Sequence, residues 1–266
     1  MNIQQGILNV EVKDKSSVLK IGYSLFNVHY WIFLLLFTIF YGCKKEQAPV
    51  IYMGYDYFPS NVGHYVIYQC DSVYYNPYSS NTPRFDTEIY QIKEVIDSIY
   101  PDNEGRPTMR IVRYKRLNVD SATPWSSIVL PEKVWSGNLL STTAQRVEDN
   151  YRYIKLLFPV SLNATWNGNA YNVLGTDNYL YTSVNAPATI GTTHFDSTLT
   201  VFQLSNSTLL QFQYYQEQYA AGVGLVYKEV IDYSTNKLAV TIPIPPDSAT
   251  SGTIYYTETY LSSGNQ

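Results

Sequence analysis

The chain has 266 residues, a formal net charge of −4 and only 15% charged side chains. That length holds one large β domain or two small ones, and the mildly acidic balance excludes a nucleic-acid binder, which needs a basic face. Tyrosine dominates the composition, with 27 of the 266 residues, and tyrosine and threonine fit the pleated, half-buried surface of a strand better than a helix.

The first feature along the chain is the uncharged apolar run Trp31 to Tyr41, which ends in Gly42-Cys43 and turns abruptly into Lys44-Lys45-Glu46. It is too short for a membrane span of about 20 residues and has the size of a signal-peptide core, roughly 7–15 residues. Lys13, Lys15 and Lys20 supply positive charge upstream. Phe40-Tyr41-Gly42-Cys43 resembles the bacterial lipobox; the last two positions match and the first two depart. The resemblance implies cleavage after Gly42 and acylation of Cys43 as the new N-terminus. An uncleaved anchor reaching back to Ile21 and an ordinary secretory signal are the alternatives. Several acyl chains hold a protein durably at about 0.8 kcal/mol per buried methylene, so the expected partner is a membrane, engaged through Cys43. Lysine after the cysteine resembles outer-membrane sorting, so the expected location is the cell envelope, on the periplasmic or the surface face. The expected organisation is a signal peptide over 1–42, a tether over 43–56 and a single extracytoplasmic β-rich domain over 57–266.

Within that domain, Tyr65 to Tyr75 reads as a strand, closed by Asn76-Pro77 and a Ser/Asn/Thr/Pro cluster. Phe85 to Tyr100 alternates, with Ile89, Gln91, Lys93, Val95 and Asp97 on one side. The turn Pro101 to Gly105 returns it as Thr108 to Leu117, a hairpin whose Arg110, Arg113, Lys115 and Arg116 read as a solvated face. Ser126 to Asn138 suggests two short strands around Pro131. Leu139 to Asp149 is mixed, with a turn favoured over a short helix at its end. Tyr151 to Phe158, Trp166 to Leu174, Leu180 to Val184, Phe195 to Leu204, Leu209 to Glu217 and Leu225 to Tyr233 follow as strands. Gly222-Val223-Gly224 supplies a turn. Leu238 to Ile244 stops at a run of prolines. Ile254 to Leu261 reads as a final edge strand, with the last five residues frayed.

This density of strands and turns predicts an all-β, antiparallel fold with few short helices, either a curved sheet or half-barrel or a β-sandwich. Three collinear matches suggest an internal duplication, with pseudo-repeats over 57–125 and 157–235. Phe58-Pro59 echoes Phe158-Pro159, Phe85-Asp86-Thr87 echoes Phe195-Asp196-Ser197, and Lys93 to Asp97 is repeated as Lys228 to Asp232.

No constellation carries an obvious chemistry. The chain lacks a G-x-S-x-G elbow and an H-E-x-x-H helix. His64 and His194 lie far apart and read as structural, and no metal or cofactor is expected. With Cys43 acylated, Cys70 has no disulfide partner and reads as a buried inert thiol. Trp125, Trp135, Trp166 and Tyr171 are candidate ligand-binding aromatics, weighed against a role as plugs between sheets.

Three segments, YFPSNVGHYVIYQCDSVYY, YIKLLFPVSLNATWNGNAYNV and YAAGVGLVYKEVIDY, resemble a Bacteroidetes-type group of lipoproteins. Its pattern is YFP…VG…DS, then FP…WNGN, then GVGLV. This chain departs from it at Asn163, where the pattern has glycine, and at Val66, where it has tryptophan. The resemblance implies no activity. The expectation is a lipid-anchored envelope protein with a non-catalytic binding or structural β domain, whose partner is a glycan, a lipid or a protein. The alternative is a carrier or sensor of an apolar ligand in a half-barrel, and a glycan-active enzyme is a more distant third.

Overall fold

The computed structural model describes residues Ile51–Gln266. The expected signal peptide, Cys43 and the first part of the expected tether therefore lie outside the described residues.

Among the described residues, strands occupy β1 (His64–Tyr75), β2 (Phe85–Pro101), β3 (Pro107–Leu117), β4 (Lys133–Leu139), β5 (Thr143–Glu148), β6 (Tyr151–Leu157), β7 (Thr165–Asn167), β8 (Asn178–Ile190), β9 (Thr193–Ser207), β10 (Gln211–Ala220), β11 (Gly224–Ser234) and β12 (Ser251–Asn265). The only helices are three-residue 3₁₀ turns. All twelve strands belong to one antiparallel sheet in the order β6-β5-β4-β3-β2-β1-β12-β11-β10-β9-β8-β7. Each strand pairs with its neighbours in sequence except that β6 and β7 do not pair with each other, and β1 pairs with β12. The sheet curls into a nearly closed barrel, as an antiparallel sheet of this many twisted strands tends to do.

The two free edges, β6 and β7, meet at a seam held largely by side chains. The Ile154 amide donates to the Gly168 carbonyl at 2.9 Å, and the Trp166 indole donates to the Ile154 carbonyl at 2.9 Å. The Tyr181 hydroxyl donates to the Leu157 carbonyl at 2.8 Å and accepts from the Leu157 amide at 2.9 Å. One phenol thus replaces a pair of ladder bonds. Gly168 cannot be larger here, because an added Cβ would lie 2.3 Å from the Tyr179 ring. That packing explains the glycine of the WNGN segment. Asn163 adopts φ 65°, a left-handed conformation that asparagine tolerates best after glycine. Asparagine and glycine are thus conformationally similar choices at position 163.

One end of the barrel is plugged. The segment ahead of β1 crosses it, with Tyr57 fully buried and its hydroxyl 2.7 Å from both Asn185 Oδ1 and Ser197 Oγ. Phe58, Val66, Leu156, Phe158, Trp166, Tyr181, Leu199 and Leu225 fill the space beneath. Connections at this end are mostly tight, as at Ala221 to Val223, where Gly222 (φ 75°) donates its amide to the Asp56 carbonyl at 2.8 Å. The four longest connections, over 76–84, 118–132, 168–177 and 235–250, all lie at the opposite end, the mouth.

Several expectations need correction. Residues 126–132 form a 3₁₀ turn and loop, and only Lys133–Leu139 is strand. Thr143–Glu148 is a strand, joined to β6 by Asp149 and Asn150, both at positive φ, the geometry of a two-residue type I′ hairpin. Residues 168–171 are turns, 172–174 and 240–243 are bends and 238–244 contains no strand, although Ile244 is buried. β12 lies inside the sheet between β1 and β11, and Ser262 to Asn265 pair with Ile67 to His64. The suggested pseudo-repeats lie wholly within the described residues. Lys93 to Asp97 lies in β2 and Lys228 to Asp232 in β11, while 57–125 spans three strands and 157–235 spans five. Phe58-Pro59 and Phe158-Pro159 each precede a run of six strands at the plugged end.

Candidate functional site

Period-two alternation decides which side chains enter the barrel. On β2, Ile92, Glu94 and Ile96 point inward; on β3, Met109, Ile111 and Arg113 do. The remaining strands add Arg146 and Glu148 from β5, Lys155 from β6, Glu217 from β10, Lys228 from β11 and Glu258 from β12. Eight ionised groups thus share the lumen.

They form a circuit of alternating sign. Arg113 donates to Glu258 at 2.6 Å and stands 3.6 Å from Glu94. Arg146 donates to Glu94 at 2.7 Å and lies 3.5 Å from Glu148. Lys155 lies 3.4 Å from Glu148 and donates to Glu217 at 2.5 Å. Lys228 stands 4.0 Å from Glu217 and is the cross-strand partner of Glu258, on which its charge acts without a direct ion pair. Four cations balance four carboxylates. Burying such charges is costly, and only mutual pairing with added hydrogen bonds offsets the lost hydration. Those bonds are present: the hydroxyls of Tyr256 and Tyr219 donate to Glu258 and Glu217, each at 2.6 Å.

The electrostatics follow from the pairing. Burial alone would raise the Glu258 pKa, but the charges of Arg113 and Lys228, with the Tyr256 and Arg113 hydrogen bonds, bring it down to about 2. Burial opposes ionisation of Glu148 as well, and Lys155, Lys228, Arg146 and Arg113 together hold it well below the usual carboxylate range. Burial works against the charge on Lys155, and Glu148 and Glu217 outweigh it, leaving the ammonium above its ordinary value.

Trp135 lies against this circuit. The guanidinium carbons of Arg113 and Arg146 stand 4.1 and 5.0 Å from its ring centroid, and its indole N–H points to Asp149 at 3.4 Å. Such stacking adds about 0.5–2 kcal/mol where the cation is desolvated.

On the mouth side of the circuit, two cavities adjoin, both lined by Glu148 and Lys228. One, of about 310 Å³, is bounded by Tyr90, Arg113, Trp135, Tyr256 and Glu258. The other, of about 450 Å³, is bounded by Tyr153, Asp177, Tyr179, Gln203, Tyr215 and Glu217. On the plug side lies a void of about 40 Å³. In the larger cavity the Gln203 side-chain nitrogen is buried without a hydrogen-bond partner, a condition that costs about 1–3 kcal/mol. The Nε atoms of Arg113 and Arg146 are also without hydrogen bonds, but each faces a carboxylate of the circuit at 3.6 or 3.5 Å.

The candidate aromatics do not converge. Trp135 alone lines the lumen mouth. Trp166 is core at the β6/β7 seam. Trp125 stacks on Arg116 at 4.3 Å, in the loop after β3. Tyr171 is exposed in the loop after β7. The β3 cations are split between two faces: Arg113 is buried and Lys115 lines the lumen mouth, whereas Arg110 pairs with Asp97 at the surface. Residues three apart on a strand cannot share a face, which is why a single solvated face was the wrong reading. Cys70 is fully buried, and burial pushes its thiol up, away from the reactive thiolate. His64 Nε2 lies 2.9 Å from the Val223 carbonyl at the plugged end, and His194 is exposed.

The charged circuit had a sequence signal that went unread. Glu94 sits between two core isoleucines of the same parity, Arg113 follows Ile111 by two, and Glu258 sits between Tyr256 and Tyr260. A charge on the apolar parity of a strand marks a buried ion. No protein-family model, curated protein or solved structure matches the chain.

Proposed function

We propose that the chain is a lipid-anchored cell-envelope protein whose barrel is a non-catalytic receptacle for a polar ligand, and that it belongs with the Bacteroidetes-type lipoproteins its motifs resemble. The observation that carries the receptacle is the pair of water-accessible cavities above the charged circuit, lined by ionised and hydroxylated side chains. An apolar carrier would keep its lumen free of charge, because a desolvated ion facing a hydrocarbon ligand is costly. A general acid needs a pKa near the working pH, and Glu148 and Glu258 are both held far below it; this supports binding over catalysis. The first described residues enter at the plugged end, where Met53 accepts from the Val160 amide at 3.1 Å.

Mass spectrometry of protein purified from native membranes tests both parts. The expected result is an acylated Cys43 and a polar molecule released on denaturation. Membrane association that survives Cys43→Ser unchanged overturns the anchor. A fatty acid as the sole released molecule overturns the polar receptacle.

A further inference from the structure

The larger cavity contains a group that no structural role accounts for. Gln203 is 7% exposed, its side-chain nitrogen is buried without a partner, and the residue lines the cavity of about 450 Å³. Buried amides are almost always hydrogen-bonded, because stripping water from an N–H without replacing it is unfavourable. The register explains where the amide points. Val201 pairs with Tyr181 on β8 and with Glu217 on β10, so Gln203, two residues on, faces the lumen between Tyr179 and Tyr215, which also line the cavity.

The charge count limits what the amide can meet. Lys228 is the one cation of the circuit that reaches both cavities, and it lies beside Glu217 at 4.0 Å. The four carboxylates and four cations of the circuit neutralise one another, and the cavity wall adds one further carboxyl, the partly buried Asp177, so an anionic ligand would meet no free cation and a cationic one only that single acid. A neutral ligand with its own donors and acceptors needs no counter-charge. Tyrosine rings add flat apolar faces with wet hydroxyl tips, the surface that the C–H face and hydroxyl edge of a sugar ring require. The cavity volume lies within the usual range for small-molecule sites, about 300–1,000 Å³.

We infer that the Gln203 side of the mouth binds an uncharged polyhydroxylated ligand, a saccharide unit, with the Gln203 amide as a donor–acceptor pair to its hydroxyls and the tyrosines as stacking walls. This rests on the polar-receptacle reading and deepens it.

Calorimetric titration of the full chain tests it with cellobiose, maltose and diacetylchitobiose as neutral probes. Glucuronate, glucosamine, alanyl-alanine and myristate serve as charged, zwitterionic and apolar counterparts. The expected result is that at least one neutral saccharide binds, and that Gln203→Leu weakens it tenfold or more with no loss of thermal stability. Thermal melting of the variant separates lost binding from lost folding. Gln203→Glu, which keeps the acceptor and loses the donor, is expected to weaken binding to an intermediate degree. Equal saccharide affinity in wild type and Gln203→Leu overturns the assignment of the amide. Binding only of glucuronate, glucosamine or the dipeptide overturns the neutral class and leaves the receptacle standing. Binding only of myristate overturns both. No binding of any neutral saccharide overturns the inference, while the receptacle stands or falls on the molecule released from native protein.

Discussion

The two ends of the barrel are built on opposite principles. The plugged end carries Tyr57, Leu156 and Phe158 in a dry core beneath mostly tight turns. The mouth carries the long loops, with Val119, Leu130, Val173 and Val240 exposed on them and polar cavities between. Between the two ends lies the charged circuit, which neither apolar packing nor water satisfies. Hydrophobic burial at one end and ion pairing across the middle hold the strands together, so the loops of the mouth are free to vary. Binding residues tend to sit on such loops and strand ends over a rigid scaffold.

Breaking the circuit should have the largest effect. Glu258→Gln leaves Arg113 buried beside one fewer charge, and removing one partner of a buried pair costs about 3–5 kcal/mol. Urea unfolding measures it, and a loss below about 1 kcal/mol would mean that the circuit does not brace the barrel. Leu156→Ala at the plugged end should cost about 2–5 kcal/mol through the cavity it opens, read by the same unfolding curves with an unchanged slope.

Acid probes the middle layer without mutation. Glu258 is at about 2 in the folded protein against an ordinary value of 4.5. A depressed carboxylate contributes stability that is complete above the unfolded value and is lost as the pH falls through the folded one. Stability should therefore drop by roughly 3 kcal/mol from this group as the pH falls from about 4.5 to about 2. Glu258→Gln should flatten that part of the profile.

The seam comes next. Tyr181→Phe leaves the amide and carbonyl of Leu157 without their partner and should cost about 1–3 kcal/mol. Faster amide exchange confined to β6 and β7 would place the loss there. The smallest effect is expected at the mouth, where Val240→Ser should change stability by no more than about 0.5 kcal/mol in either direction. A larger loss would show that the mouth loops carry part of the scaffold after all.

Much of the fold was legible in strand-sized segments. The β2–β3 hairpin, β6, β9 and β11 follow from alternation and from turn residues that leave the chain few other conformations. β5 was not legible, because Thr143–Glu148 mixes inward charges with polar outward residues and so shows no apolar period. β12 was misplaced as an edge strand. Its partner β1 lies at the far end of the described chain, and no local pattern reports a pairing at that separation.

The amino-acid sequence by itself determined the all-β class, the parity of each side chain along its strand, the turn chemistry and the apolar run Trp31 to Tyr41 ahead of Gly42-Cys43. These are local properties, set by backbone preferences and by which residues lie two apart. Only the tertiary structure decided which parity faces inward and that eight inward charges find one another. Arg113 and Glu258 are 145 residues apart, and Lys155 and Glu217 are 62 apart. A charge on a strand is a solvated surface or half of a buried pair according to what the closed sheet places opposite it, and that follows from the closure rather than from the strand.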